Sequence, residues 1–342
     1  MKRKISSVLI LCFSVLLAGC NDMGGTETTI ENTTAAESTT AEAAIEEKTT
    51  IPPAQGLDAE ETTADSTPGN ADITSRIFYG EKTGTDKTMT GFEPLEKRDF
   101  ILSDAEKLST LPSTLREHSY GAAADEKPHN ISVTNQQFFN EKGFDAICLD
   151  TKSEEKVLYL TFDCGYENGY TSKILDVLKE KGVTAAFFCT LPQVRDNKEL
   201  IARMINEGHI VGNHSVSHPD FSALSAGKII EEVKGFDDYM RENFGYSSLY
   251  FRYPQGKYSE RSTAVLNELG FKCIFWSLAY ADWDIENQKG ALYAYETVLS
   301  RIHPGAVILL HSVSSDNAGA LSDIIDTAVS KGYAFKSLED IR

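Results

Sequence analysis

The chain is 342 residues long, with 51 acidic against 33 basic side chains and a formal net charge of −18. Twelve of the acids and a single base, Lys48, fall between residues 21 and 75, and three bases open the chain, so residues 76–342 carry about −10. That remainder has no basic stripe, which excludes nucleic acid as a partner.

Lys2, Arg3 and Lys4 precede an apolar run from Val8 to Leu17, the build of a secretory signal and too short for a permanent membrane span. Leu16-Leu17-Ala18-Gly19-Cys20 resembles a bacterial lipobox, in which Cys20 is diacylated and becomes the new N-terminus. Two acyl chains hold a protein stably on a bilayer. Residues 1–20 are therefore expected to export the chain and to leave it anchored through Cys20 to the outer face of the bacterial cytoplasmic membrane. Residues 21–75 are rich in Thr and acid, carry Pro52, Pro53 and Pro68, and have few large apolar side chains. Such a composition cannot offset its ordering entropy, which predicts a disordered tether. Residues 76–150 are polar, with turn signals such as Tyr120-Gly121, and are predicted to form a loosely structured N-terminal extension.

Regular patterning begins at Lys156. Strands are predicted at 157–162, 183–190, 209–213, 249–253, 272–278, 306–310 and 333–336, from β-branched and aromatic runs. Helices are predicted at 172–181, 198–207, 226–243, 262–269, 292–302 and 321–330, from apolar stripes, several of them closed by a glycine such as Gly182, Gly208 or Gly245. Seven strands alternating with six helices predict an α/β fold with a parallel sheet, closed or open. Asp163, His214, Arg252 and His311 each fall at the C-terminal end of a different predicted strand, and Asp282 lies just past another. Chemistry gathered from several strand ends favours a barrel. Of the six cysteines, Cys12 lies in the signal and Cys20 is the lipid site; Cys189 and Cys273 sit in apolar runs and read as buried thiols.

His214 and His218 are four residues apart, a spacing that lets two imidazoles share a metal. Ser215 stands where a zincin would need Glu, and Pro219 stops an ordinary helix, so a third ligand has to come from elsewhere. Asp163 and His311 both end apolar strands, and the helix after Asp163 starts too late for a capping role. Arg252 could hold a carboxylate ionised, and Asp282 could fix a histidine tautomer.

Thr161-Phe162-Asp163-Cys164, His214 to Pro219, Arg252-Tyr253-Pro254, Asp282-Trp283 and Leu309-Leu310-His311, in this order, resemble the five motifs of the polysaccharide deacetylases, the NodB-homology or carbohydrate esterase family 4 domain. The segments 161–169, 275–277, 281–284 and 310–317 are similar in detail to the branch that deacetylates muramic acid for the δ-lactam of spore cortex. The resemblance covers residues 151–342 as the catalytic domain and implies a distorted seven-stranded (β/α) barrel. It further implies that Asp163 is the base and His311 the acid, oriented by Arg252 and Asp282. His214 and His218 would hold a divalent metal, zinc before others, and Trp283, Leu309 and Tyr253 would line the substrate pocket. Where typical members carry a second Asp as third metal ligand, this chain has Cys164, which is either a thiolate ligand or a small buried residue. The implied activity is N-deacetylation of N-acetylmuramic acid in peptidoglycan. The alternatives are N-acetylglucosamine deacetylation in peptidoglycan or another glycan, and an inactive glycan-binding lipoprotein; retention of base, acid and both orienters counts against the last.

Overall fold

The computed structural model describes residues 75–84, 87–153 and 155–341. The expected signal, the lipid site at Cys20 and nearly all of the expected tether lie outside the described residues. The segment before the regular repeat contains β1 (Ile77–Tyr79), α1 (Ala105–Ser109), β2 (Arg116–Glu117), α2 (Asn130–Lys142) and β3 (Ala146–Ile147). It is therefore not the loose extension its polarity predicts. Its few apolar residues are spent on the core: Phe139 is fully buried, and Phe100 and Leu108 join it beneath the helices.

The repeat then runs β4 (Val157–Cys164), α3 (Thr171–Lys181), β5 (Ala186–Cys189), α4 (Leu191–Asp196), α5 (Lys198–Asn206), β6 (Ile210–Asn213) and α6 (Ala226–Phe244). It continues through β7 (Tyr246–Ser248), β8 (Tyr250–Phe251), β9 (Lys257–Tyr258), α7 (Glu260–Glu268), β10 (Lys272–Ile274), α8 (Ala291–Leu299), β11 (Ala306–His311), α9 (Ser315–Ser330) and β12 (Ala334–Phe335). Several helices stop where the sequence says they should, although α8 ends at Leu299, three residues short of the predicted 302. Gly182 and Gly245 take left-handed φ of 62° and 55° at the ends of α3 and α6. Helix α9 begins six residues earlier than predicted because Ser314 caps it, accepting from the Asn317 N–H.

One sheet carries the order β11-β4-β5-β6-β8-β10-β3, with β12 also on β4, and every pairing within it is parallel. All seven predicted strands are present, and β3 is an eighth that the sequence reading left in the extension. Single bridges from Leu278 to Ile308 and from Leu149 to Ala306 join the two ends of the curled sheet, making a distorted barrel.

Strand alternation sets the barrel's inside and outside. Along β4, Leu158, Leu160, Phe162 and Cys164 pack outward against the helices. Val157 and Tyr159 point inward, meeting Ala186, Phe188, Ile210, Tyr250, Ile274 and Val307 from the other strands. Thr161 and Asp163 continue that inward column toward the C-terminal mouth, so the register that fills the barrel also delivers Asp163 to its opening.

Candidate active site

Arg252, at the end of β8, is fully buried and spans the barrel's interior. Its Nε and Nη2 donate to the backbone oxygens of Ile274 (3.0 Å) and Phe275 (3.3 Å). Its Nη1 donates to Thr161 Oγ1 at 2.8 Å and to Asp163 Oδ1 at 2.9 Å, while the guanidinium lies 4.3 Å from the Phe188 ring centre. Burial alone would raise the Asp163 pKa, but the Arg252 charge reverses that and holds the carboxyl below the usual range. The buried Asp163 is thus an anion with one oxygen fixed by Arg252 and the other, Oδ2, 3.7 Å from His214 Nε2.

The turn after β6 brings His214 and His218 to ring centres 4.9 Å apart. No helix does this: Ser215 and His218 take φ of 74° and 57°, rare for side chains of their kind and common where function imposes geometry. The turn is held by Glu232 of α6, whose carboxylate accepts from the Val216 and Ser217 N–H groups at 3.0 and 2.8 Å. His214 Nδ1 lies 2.8 Å from the Arg252 carbonyl, which can only accept, so Nδ1 carries the proton and Nε2 presents its lone pair. Burial pushes this imidazole's pKa down to about 4, keeping it neutral and fit to ligate.

His311 ends β11. Its Nδ1 and its backbone N–H both meet the buried carboxylate of Asp282, each at 2.7 Å. Asn317 Nδ2 donates to the same carboxylate at 2.5 Å, and Tyr280 Oη donates to Asn317 Oδ1. Burial lowers the His311 pKa, but Asp282 and then Asp163 outweigh it, and the net shift is upward. The Asp282 contact thus biases the ring toward its protonated form, the form that can donate from Nε2.

These groups face one cavity of about 710 Å³, lined by Asp163, His214, His218, His311, Leu309 and Trp283 among others. Asp282 and Arg252 stand behind the lining, as orienting groups would. Trp283 is 60% exposed at the rim. Two expectations fail. Tyr253 is no pocket residue: it is fully buried, stacks on Phe275 and donates to Thr263 Oγ1, because the residue after Arg252 on this strand faces the helix layer. Cys164 does not join the histidines. It follows Asp163 on the strand and so points outward, where its thiol meets that of Cys189.

Among the described residues, no three His, Cys, Asp or Glu side chains cluster as a metal-ligand set. The two imidazoles still fit a divalent metal as neutral nitrogen donors, leaving the other positions to solvent or substrate. Sequence reasoning missed Asn317 as a positioning group, although its place in a Ser-x-x-Asn cap signal was readable. It also missed Glu232 and the cavity residue Tyr120, which lies far along the chain from the motifs, and it gave no role to Gln255 and Trp276, although they stand beside and within motif segments.

Residues 150–274 match the family described as polysaccharide deacetylase. The chain is 47% identical over 199 residues to the peptidoglycan-N-acetylmuramic acid deacetylase PdaA of Bacillus subtilis, covering 58% of this chain and 75% of that one. It is 32% identical over 185 residues to a peptidoglycan-N-acetylglucosamine deacetylase of Bacillus cereus, covering 52% and 66%. The solved structure of Bacillus subtilis PdaA, a family 4 carbohydrate esterase, superposes with a TM-score of 0.64 at 41% identity, covering 68% of this chain and 98% of that one.

Proposed function

Because the chain belongs to the polysaccharide deacetylases, we propose that it hydrolyses the acetamide of N-acetylmuramic acid in peptidoglycan, releasing acetate and leaving a free amine on the glycan. The observation that carries the chemistry is the pairing of a carboxylate and an imidazole on one cavity, each held by its own buried partner. Asp163, oriented by Arg252, accepts the proton of the attacking water. His311, held by Asp282, gives its Nε2 proton to the departing nitrogen, and the amine leaves as the carbon–nitrogen bond breaks and the carbonyl re-forms in acetate. A divalent metal held by His214 and His218, zinc by the preference of paired imidazoles, would polarise the acetamide carbonyl. Trp283 and Leu309 wall the acetyl group from bulk water.

The muramic acid reading rests on the higher identity to the muramic acid enzyme than to the glucosamine one. The amine it frees stands on the carbon next to the lactyl ether, so it can close on the lactyl carboxyl to the δ-lactam found in spore cortex. The lipobox-like run at Cys20 supports an anchored protein working outside the cytoplasmic membrane, where peptidoglycan is met. The test is to incubate the full chain with peptidoglycan, with and without stem peptides, and to follow acetate release and the mass of each sugar by mass spectrometry. Acetyl loss confined to glucosamine would sink the muramic acid reading, and no loss with any divalent metal supplied would return the protein to a glycan-binding role.

A further inference from the structure

Most of the polar side chains that line the cavity are already engaged. Asp163, His214, His218 and His311 carry the chemistry, and the Tyr280 hydroxyl donates to Asn317. The rest of the wall is mainly aromatic or aliphatic, which covers a sugar ring but leaves its oxygens unmatched. Among the described residues, Gln255 is the one side-chain amide on that wall.

Its backbone is unusual. Tyr253-Pro254-Gln255-Gly256 is a turn closed by the Gly256 N–H on the Tyr253 carbonyl at 3.1 Å, and Gln255 takes φ 57° and ψ 9° in its third position. With proline second and a left-handed third residue, this is the type II form, whose third position calls for glycine or asparagine because a larger side chain is crowded there. The turn is braced on both sides. Arg252 before it is tied to Asp163, and after it the Gly256 carbonyl accepts from the His118 N–H at 2.9 Å while β9 pairs with β2. Gly256 itself has φ +67°, and a Cβ there would stand 2.9 Å from the Trp276 ring.

The Gln255 side chain gives the fold nothing in return for this strain. It is exposed, and among the described residues its amide has no hydrogen-bond partner. Glycine would hold the same turn at lower cost, so the reason for a side chain lies in what it meets in the cavity. The other left-handed side chain on the cavity wall is His218, at φ 57°, a metal-ligand candidate. Gln255 follows β8 and His311 ends β11, strands that are not neighbours in the sheet, so the two reach the cavity from different sides.

We propose that the Gln255 carboxamide is a substrate contact, its NH2 donating to and its oxygen accepting from the neutral oxygens and hydroxyls of the disaccharide repeat being deacetylated. It holds the sugar while the acetyl group stands between Asp163 and His311. This rests on the deacetylase reading above and names a residue that positions the glycan for it.

The experiment measures kcat and KM of the full chain on short oligosaccharides and on long glycan strands, for the wild type, Gln255→Gly, Gln255→Asn and Gln255→Glu, with a urea titration of each. Gln255→Gly removes the amide and relieves the turn. Its urea midpoint should equal or exceed the wild type's, while KM rises about fivefold on both substrates, the size of one neutral hydrogen bond, and kcat changes less. Gln255→Asn tolerates the left-handed backbone and keeps an amide one carbon back, so it should recover part of the loss. Gln255→Glu keeps the length but cannot donate when ionised, and should recover none. An unchanged KM in Gln255→Gly, a lowered urea midpoint in that variant, or a rise confined to long strands overturns the assignment. Calorimetric binding of the same oligosaccharides makes the comparison without turnover, so a chain that binds glycan but releases no acetate loses the deacetylase reading while the contact is still tested.

Discussion

Replacing Arg252 by Gln isolates what the buried guanidinium does for Asp163. The wild-type side chain is fully buried and makes four hydrogen bonds, to Thr161, Asp163 and the carbonyls of Ile274 and Phe275. Gln is shorter and neutral, so the carboxylate is left buried without its partner, a change that costs about 3–5 kcal/mol. Against a typical domain stability of roughly 5–15 kcal/mol, the variant should fold but unfold at distinctly lower urea. The pH dependence carries the sharper signal. In the wild type the Asp163 pKa is depressed in the folded state, so its contribution is present above the unfolded value and lost as pH falls through the folded one. Without Arg252, burial dominates and lifts the folded pKa above the unfolded value. The protonated form is then the stabilised one, and its contribution is lost as pH rises through the raised pKa. The stability deficit of Arg252→Gln should therefore be small in acid and grow toward neutral pH, and the acid limb of kcat should move to higher pH. Urea titrations at several pH values, paired with a pH–rate profile, measure both. A deficit under about 1 kcal/mol, or one that does not change with pH, would refute the buried-pair account.

Asp282→Asn removes the charge that holds His311 protonated, so the alkaline limb of kcat should move to lower pH and kcat should fall by about 10²–10⁴, the range of lost acid catalysis; an unmoved alkaline limb would count against His311 as the acid. Cys164→Ser should leave the metal content per chain unchanged by elemental analysis, since the thiol meets Cys189 rather than the histidines, and a folded variant that had lost its metal would reverse that placement. Tyr253→Phe deletes the hydrogen bond to Thr263 and the weak one accepted from the Cys273 thiol, and should cost about 0.5–1.5 kcal/mol in urea with KM unchanged; a shifted KM would return Tyr253 to the pocket.

The sequence reading located Asp163, His214, Arg252 and His311 because each is a polar residue placed where an apolar strand ends, and Asp282 because it lies a few residues past another. Strand ends are visible in hydrophobic pattern, and barrel chemistry collects there. Its two errors at the site share one physical source. Adjacent residues on a strand face opposite layers, and motif adjacency hides this: Tyr253 follows Arg252 and Cys164 follows Asp163, so in each pair the first residue faces the lumen and the second the helices. Applied to β4, the alternation is readable beforehand. Leu158, Leu160 and Phe162 share the parity of Cys164, and an apolar set of that parity marks it as the outward one. The N-terminal segment was misread for a different reason. Strands β2 and β3 are two residues each, too short to give a period, and owe their existence to partners over a hundred residues away, β9 and β10. That non-local pairing is what sets Tyr120 in the cavity, so a wall of the substrate site is contributed by the part of the chain with the weakest local signal. The lining residues from the motif strands supply the reacting groups, whereas Tyr120 reaches the same cavity from a segment that carries neither Asp163 nor His311, so the reacting groups and this part of the wall are set by separate stretches of chain.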